Sequence, residues 1–206
     1  MLTRKGQATR DRIVAEAATL MFQRGVAGTS TEDVRSAAGV SASQIYHYFD
    51  DKGSLTRAVI EYQTEAILGF QEPLLARLDD LEALRSWAEV IVDVQRSNDY
   101  HGGCPLGSLA SELAENDNAA REALVVGYRR WHCAIRDGLS AMKDRRELGS
   151  AADVDKLATA LLTAMQGGLL LAKTLRDGEP LETALNAMID HIGSFVVDHD
   201  RLPGPA

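Results

Sequence analysis

The sequence predicts an all-α fold, and three observations carry that prediction. Apolar residues recur at i, i+3, i+4 and i+7 along almost the whole chain, the period of a helix with one buried face. Leu and Ala abound, 5 of the 206 residues are proline, and aromatic residues make up 5%, a composition that favours helices. Finally, Gly39 to Leu55 places a turn glycine, a very short helix with polar and aromatic side chains, and the start of another helix in one stretch. A helix that short buries too little to stand alone, so neighbours must brace it and its outward side chains suit presentation to a partner.

Met1 to Ala8 reads as an arm carrying Arg4 and Lys5, disordered in isolation. The first helix is expected from Thr9 to Arg24, with Ile13, Ala17, Leu20 and Met21 on one face and Gly25 just past its end. Ser30 starts a second helix and forms a capping box with Asp33, while Val34, Ala37 and Ala38 face inward. Gly39 supplies the positive φ of a sharp turn. Ser41 and Gln44 make a second capping box that opens the short third helix, anchored by Ile45 and Phe49. Asp51 caps a fourth helix from Lys52, whose stripe Leu55, Val59, Tyr62, Ala66 and Phe70 runs to a kink or stop at Pro73.

A fifth helix from Asp80 to Arg96 turns Leu84, Trp87, Ile91 and Val94 inward. Beyond a loop from Ser97 to Gly103, Pro105 opens a short helix to Glu115. Asn116 to Asn118 caps a long helix to Arg146 that carries Leu124, Tyr128, Trp131 and Ile135. Asp153 starts the next, with Val154, Leu157, Leu161, Met165, Leu169 and Ala172 inward and Gly178 at its end. Pro180 opens the last helix, with Leu185, Met188, Ile192 and Val196 inward, and Arg201 to Ala206 is a tail.

The formal net charge of −8 argues against a nucleic-acid binder only when taken whole. Residues 1 to 62 carry eight Lys/Arg against seven Asp/Glu, so the acidic excess lies in the rest. Cys104 and Cys133 are the two cysteines, too few for a disulfide framework. No signal-peptide pattern and no apolar run long enough for a bilayer is read, so a reducing cytoplasm and no membrane partner are expected.

The Gly39 to Leu55 segment suits a helix-turn-helix reading a DNA major groove. Its short helix presents Ala42, Ser43, Gln44, Tyr46 and His47 outward. Gln44 can bond adenine bidentately, Ser43 can donate or accept, and Ala42 can meet a thymine methyl. Tyr46, Tyr48 and Lys52 suit phosphates, as do the backbone N–H groups at the helix starts near Ser30 and Lys52.

Arg12 to Leu55 resembles the DNA-binding domain of the TetR family of bacterial transcriptional regulators. The resemblance rests on Arg12-Ile13-Val14-Ala15-Glu16-Ala17-Ala18 through Phe22 and Gly25, on Thr29-Ser30 and Asp33-Val34, and on Ala38-Gly39-Val40-Ser41. Ile45-Tyr46-His47-Tyr48-Phe49, Lys52 and Leu55 complete it. Tyr48 stands where many members have His, and Asp50 and Asp51 bring carboxylates toward phosphates. The resemblance implies a three-helix DNA-binding domain over residues 1–51 and a six-helix ligand-binding and dimerisation domain over 52–206. It implies double-stranded operator DNA, a small-molecule inducer and a second copy of the chain as partners. The DNA contacts are then expected at Thr29, Ser30, Ser41, Ala42, Ser43, Gln44, Tyr46, His47, Tyr48 and Lys52.

For the ligand, Trp87, Ile91, Gln95, Cys104, Leu109, Tyr128, Trp131, Met165 and Gln166 are expected to line a chamber between helices. Glu112 and His132 are further polar candidates. Leu161, Met165, Gly168, Leu169, Ala172, Leu185, Met188 and Ile192 are expected to form a four-helix dimer interface. Cys104, at a helix start, opens an alternative reading as an electrophile or oxidant sensor. A helical binding module without operator binding is a further alternative, for which Asp50 and Asp51 are the sign. No cofactor fingerprint, metal-ligand set or oriented nucleophile–base pair is present, so neither an enzyme, a cofactor nor a metal is expected.

Overall fold

The computed structural model describes residues 2–197, and the Arg201 to Ala206 tail lies outside them. Among the described residues the chain forms α1 (Arg4–Arg24), α2 (Thr31–Ala38), α3 (Ala42–Tyr48), α4 (Lys52–Leu75), α5 (Leu81–Ser97), α6 (Pro105–Leu113), α7 (Asn118–Asp144), α8 (Val154–Leu175) and α9 (Glu179–Gly193). The all-α expectation holds, and local caps explain most starts. The capping boxes Ser30–Asp33 and Ser41–Gln44 both close. Asp51, Asp80 and Asp153 accept the backbone N–H groups of Ser54, Ala83 and Lys156.

Several boundaries and faces differ from expectation. The arm is not an arm: α1 begins at Arg4 because the Thr3 hydroxyl accepts Gly6 N–H at 3.1 Å. A Gln7–Asp11 hydrogen bond of 2.7 Å supports that first stretch. α4 continues past Pro73 to Leu75. α8 ends at Leu175, with Arg176 rather than Gly178 in the left-handed region. Ala37, Tyr62, Phe70 and Val196 are exposed. Val196 lies beyond α9, in an isolated antiparallel bridge to Leu148.

Contacts divide the chain into two compact units. The first comprises Met1–Phe70 and Cys104–Arg129, the second Gln71–Gly103 and Arg130–Ala206. Within the first, Ile13, Val14, Ala17, Val34, Ile45, Phe49 and Leu55 are buried. Arg12 Nε donates to the Ala38 carbonyl at 2.9 Å, tying α1 to the end of α2. The Arg10 guanidinium lies 5.3 Å from the Phe49 ring centroid, a cation–π contact that holds the end of α3.

Within the second unit, α8 and α9 pack closely. A Cβ on Gly168 would lie 2.8 Å from Leu181 Cα, so only glycine permits that approach. Trp87 is buried and donates from Nε1 to Gln71 Oε1 at 2.9 Å. By length and composition α8 would suffice to cross a bilayer, contrary to the expectation that no segment would. Its Leu157, Leu161, Met165 and Leu169 are nevertheless buried in the protein, as in a core helix.

Candidate functional site

The first unit builds one polar, exposed helix face. α3 has seven residues, opened by Ser41, whose hydroxyl accepts Gln44 N–H at 3.2 Å. Gln44 Oε1 returns to Ser41 N–H at 2.9 Å. Ile45 and Phe49 are buried, while Ala42, Ser43, Gln44, Tyr46 and His47 are exposed, Tyr46 by 62%. Tyr48 is half-buried, its ring edge-on to His47 at 4.9 Å. A Cβ on Gly6 would lie 3.4 Å from Tyr48 Oη, so the first turn of α1, with exposed Arg4 and Lys5, adjoins the end of α3.

Turning to the flanking residues, Ser30 and Ser41 are exposed caps. Hydrogen bonds from Ser30 and Ser54 respectively hold the Asp33 and Asp51 carboxyls below the ordinary carboxylate range. For Asp33 the Ser30 side chain is the largest cause, and for Asp51 it is the Ser54 backbone N–H.

One of the expected DNA contacts, Thr29, is corrected, and a second, Lys52, has an internal partner. Thr29 is 1% exposed and donates its hydroxyl to the Gly25 carbonyl at 2.8 Å, so its side chain supports the turn instead. Lys52 Nζ donates to the Val26 carbonyl at 2.6 Å. That bond ties the start of α4 to the α1–α2 turn, and the half-buried ammonium keeps two further N–H donors. Gln44 is corrected in part, because its carbonyl oxygen serves the cap and Nε2 remains as the donor to offer a base.

The expected ligand residues do not fall together in one unit. Cys104, Leu109 and Tyr128 lie in the first; Trp87, Ile91, Gln95, Trp131, Met165 and Gln166 lie in the second. Leu109 lines a crevice with Met21, Phe22, Val59 and Glu112 that leaves about 10 Å³, room for one water at most. Cys104 caps α6, its Sγ accepting Gly107 N–H at 3.4 Å, and is 9% exposed. Burial pushes the Tyr128 hydroxyl up, with Cys104 adding to the effect. Gln95 is buried, and His132 pairs with Thr159 Oγ1 at 3.1 Å. In the second unit, Trp131 Nε1 and Gln166 Nε2 are buried N–H donors with no acceptor among the described residues.

The residues expected to form a dimer interface turn mostly into the chain itself. Leu161, Met165, Gly168, Leu169, Ala172, Leu185 and Ile192 are buried within the single chain, and Met188 is half-buried. Buried residues have no surface left for a second copy. α8 instead exposes Gly167, Leu170, Leu171 and Leu175, the last at 62%. The signal was present in Leu169-Leu170-Leu171, since three consecutive leucines cannot share one helical face. Glu112, expected to meet a ligand, instead accepts Val26 N–H at 2.8 Å and Ala27 N–H at 3.3 Å. No sequence pattern foretold a pairing across 86 residues.

A short capped helix, braced by two others and polar on its outer face, defines a helix-turn-helix DNA-binding protein. The family model for bacterial regulatory proteins of the tetR family matches residues 13–59. That for the tetracyclin repressor-like C-terminal domain matches residues 81–188. The chain belongs to the TetR family of transcriptional regulators.

A TetR transcriptional regulator of Chloroflexus aurantiacus is 31% identical, with a TM-score of 0.76 over 94% of this chain and 98% of that one. An uncharacterised HTH-type transcriptional regulator of Mycobacterium tuberculosis is 27% identical over 183 residues, covering 85% of this chain and 90% of the relative. The HTH-type transcriptional repressor DhaR of Mycobacterium sp. strain GP1 is 24% identical over 191 residues, 88% of this chain and 90% of its own length.

Proposed function

We propose that the chain is a ligand-responsive repressor that binds a near-palindromic operator as a homodimer and leaves it when a small molecule binds. The observation that carries this reading is the outward face of α3, where Ala42, Ser43, Gln44, Tyr46 and His47 stand exposed behind a closed capping box. Ser43 and Gln44 Nε2 are assigned to base edges and Ala42 to a thymine methyl. Ser30, Ser41, Tyr46 and Tyr48 are assigned to phosphates, which set orientation. Residues 1–51 supply the DNA-reading part and 52–206 the ligand and dimer functions. Twofold symmetry places two α3 helices about 34–36 Å apart on successive turns of DNA.

The exposed leucines of α8 suit a second copy of the same chain. Trp131 Nε1 and Gln166 Nε2 suit a ligand bearing hydrogen-bond acceptors, because a buried donor without a partner is costly. Such a ligand releases DNA if it binds the DNA-incompetent arrangement more tightly. Cys104 and Cys133 form no disulfide among the described residues, which suits a reducing cytoplasm.

The test is fluorescence anisotropy on duplex DNA from upstream of the gene, against a scrambled duplex, over a salt series. Preference for the upstream duplex, weakening steeply with salt, is expected. Equal affinity for the two duplexes rejects the reading.

A further inference from the structure

The turn between α1 and α2 is held from outside the helix-turn-helix. Val26 is 8% exposed, so both of its backbone polar groups need partners. Its N–H donates to Glu112 Oε2 at 2.8 Å, and its carbonyl accepts Lys52 Nζ at 2.6 Å. The same Glu112 oxygen accepts Ala27 N–H at 3.3 Å. Gly25 adds an independent sign: at φ +78°, a Cβ there would meet Glu112 Oε1 at 2.9 Å. The turn therefore has the backbone geometry and the open space that let the carboxylate in. Beyond it come Thr29, whose N–H returns to the Val26 carbonyl at 3.3 Å, and Ser30, the cap of α2.

We infer that Glu112 is a positioning residue for operator reading: its carboxylate clamps the α1–α2 turn and so fixes the approach to the start of α2. The carboxylate sits on the last turn of a nine-residue helix roughly 13 Å long. The anchor of Val26 on that carboxylate sets where the chain enters α2. α2 in turn braces α3. The inference rests on the operator-binding reading and adds a residue to it.

The test compares Glu112→Ala, Glu112→Gln and a control, Leu106→Ala, which removes a buried α6 side chain away from the clamp. Operator affinity is measured on the upstream duplex at a temperature where all three are folded by circular dichroism. Hydrogen exchange is read at the Val26 and Ala27 amides. Glu112→Ala is expected to bind about tenfold more weakly and to lose protection at both amides. Glu112→Gln, which keeps an acceptor oxygen, stays within about threefold of wild type, and Leu106→Ala keeps wild-type affinity.

Wild-type affinity in folded Glu112→Ala overturns the inference, as does an equal loss in Glu112→Gln and Leu106→Ala. Should the wild-type chain itself ignore the upstream duplex, the operator reading fails instead. The amide exchange then decides the clamp: faster exchange in Glu112→Ala, or in Glu112→Gln relative to Leu106→Ala if the alanine variant does not fold, supports it. Unchanged protection overturns it.

Discussion

Gln44 divides one amide between two parts: Oε1 closes the capping box of α3, and Nε2 is the donor proposed for a base edge. The substitution Gln44→Glu separates these roles, since glutamate is a usual third member of a capping box but has no N–H to donate. That variant is therefore expected to melt within about 0.5 kcal/mol of wild type. It should lose its preference for operator over scrambled DNA by roughly 1–3 kcal/mol. Thermal denaturation and anisotropy together check both halves. Lys52→Ala should differ in stability. Its partner is the Val26 carbonyl, so about 1–3 kcal/mol of stability is lost. The slope of log affinity against log salt tests the expected phosphate contact separately: a shallower slope supports it and an unchanged slope removes it. The two capping boxes were legible in sequence because each closes over three residues. The Lys52 bond is not legible in sequence because its partner lies 26 residues away, where spacing carries no information.

Helix starts are set here by short polar side chains, and those caps make a pH prediction. The Asp33, Asp51 and Asp153 carboxyls all sit below their ordinary value of 3.8, with hydrogen bonds from Ser30, Ser54 and Lys156 as causes. A carboxyl lowered by folding contributes stability that is fully present above its unfolded value and lost as pH falls through the folded one. Melting temperature should thus be flat on this account above about pH 5 and decline below about pH 4. Asn substitution at the three positions, which keeps a capping oxygen, should flatten that decline. A decline of equal size in the triple variant would exclude the caps as its source. The turn at Gly39 acts by backbone alone: φ is +61° and a Cβ there meets nothing within 4 Å. Gly39→Ala should cost about 1 kcal/mol from strain, read from a denaturant midpoint. The helical period gave nearly every element. It missed the start of α1, where a Thr cap and one Gln–Asp pair outweigh the frayed-terminus expectation.

At the scale of the whole molecule, the useful contrast is between the two faces of α8. Leu161 is fully buried, while Leu170 and Leu175 are more than 60% exposed. Leu161→Glu should unfold the second unit, since an unpaired charge replaces a core side chain. Leu170→Glu with Leu175→Glu should leave the fold intact and yield monomers that bind operator poorly, as followed by light scattering and anisotropy. Dimers that survive the double substitution would move the interface elsewhere. Periodicity identified α8 as apolar, but it could not say which of two apolar faces belongs to the chain itself. That choice depends on how α9 docks at Gly168, a contact that no local pattern encodes.

The chain has two tryptophans, and they differ in a way that makes the protein its own optical instrument. Trp87 is fully buried with its indole N–H satisfied by Gln71, whereas Trp131, 2% exposed, has an N–H that meets no acceptor among the described residues. Both emit from dry surroundings, and they differ in the hydrogen bonding of the indole. A compound that reaches Trp131 with an acceptor atom should redden or quench that component of the emission and leave the Trp87 component constant. A library of small molecules can therefore be screened by intrinsic fluorescence, with Trp131→Phe as the blank.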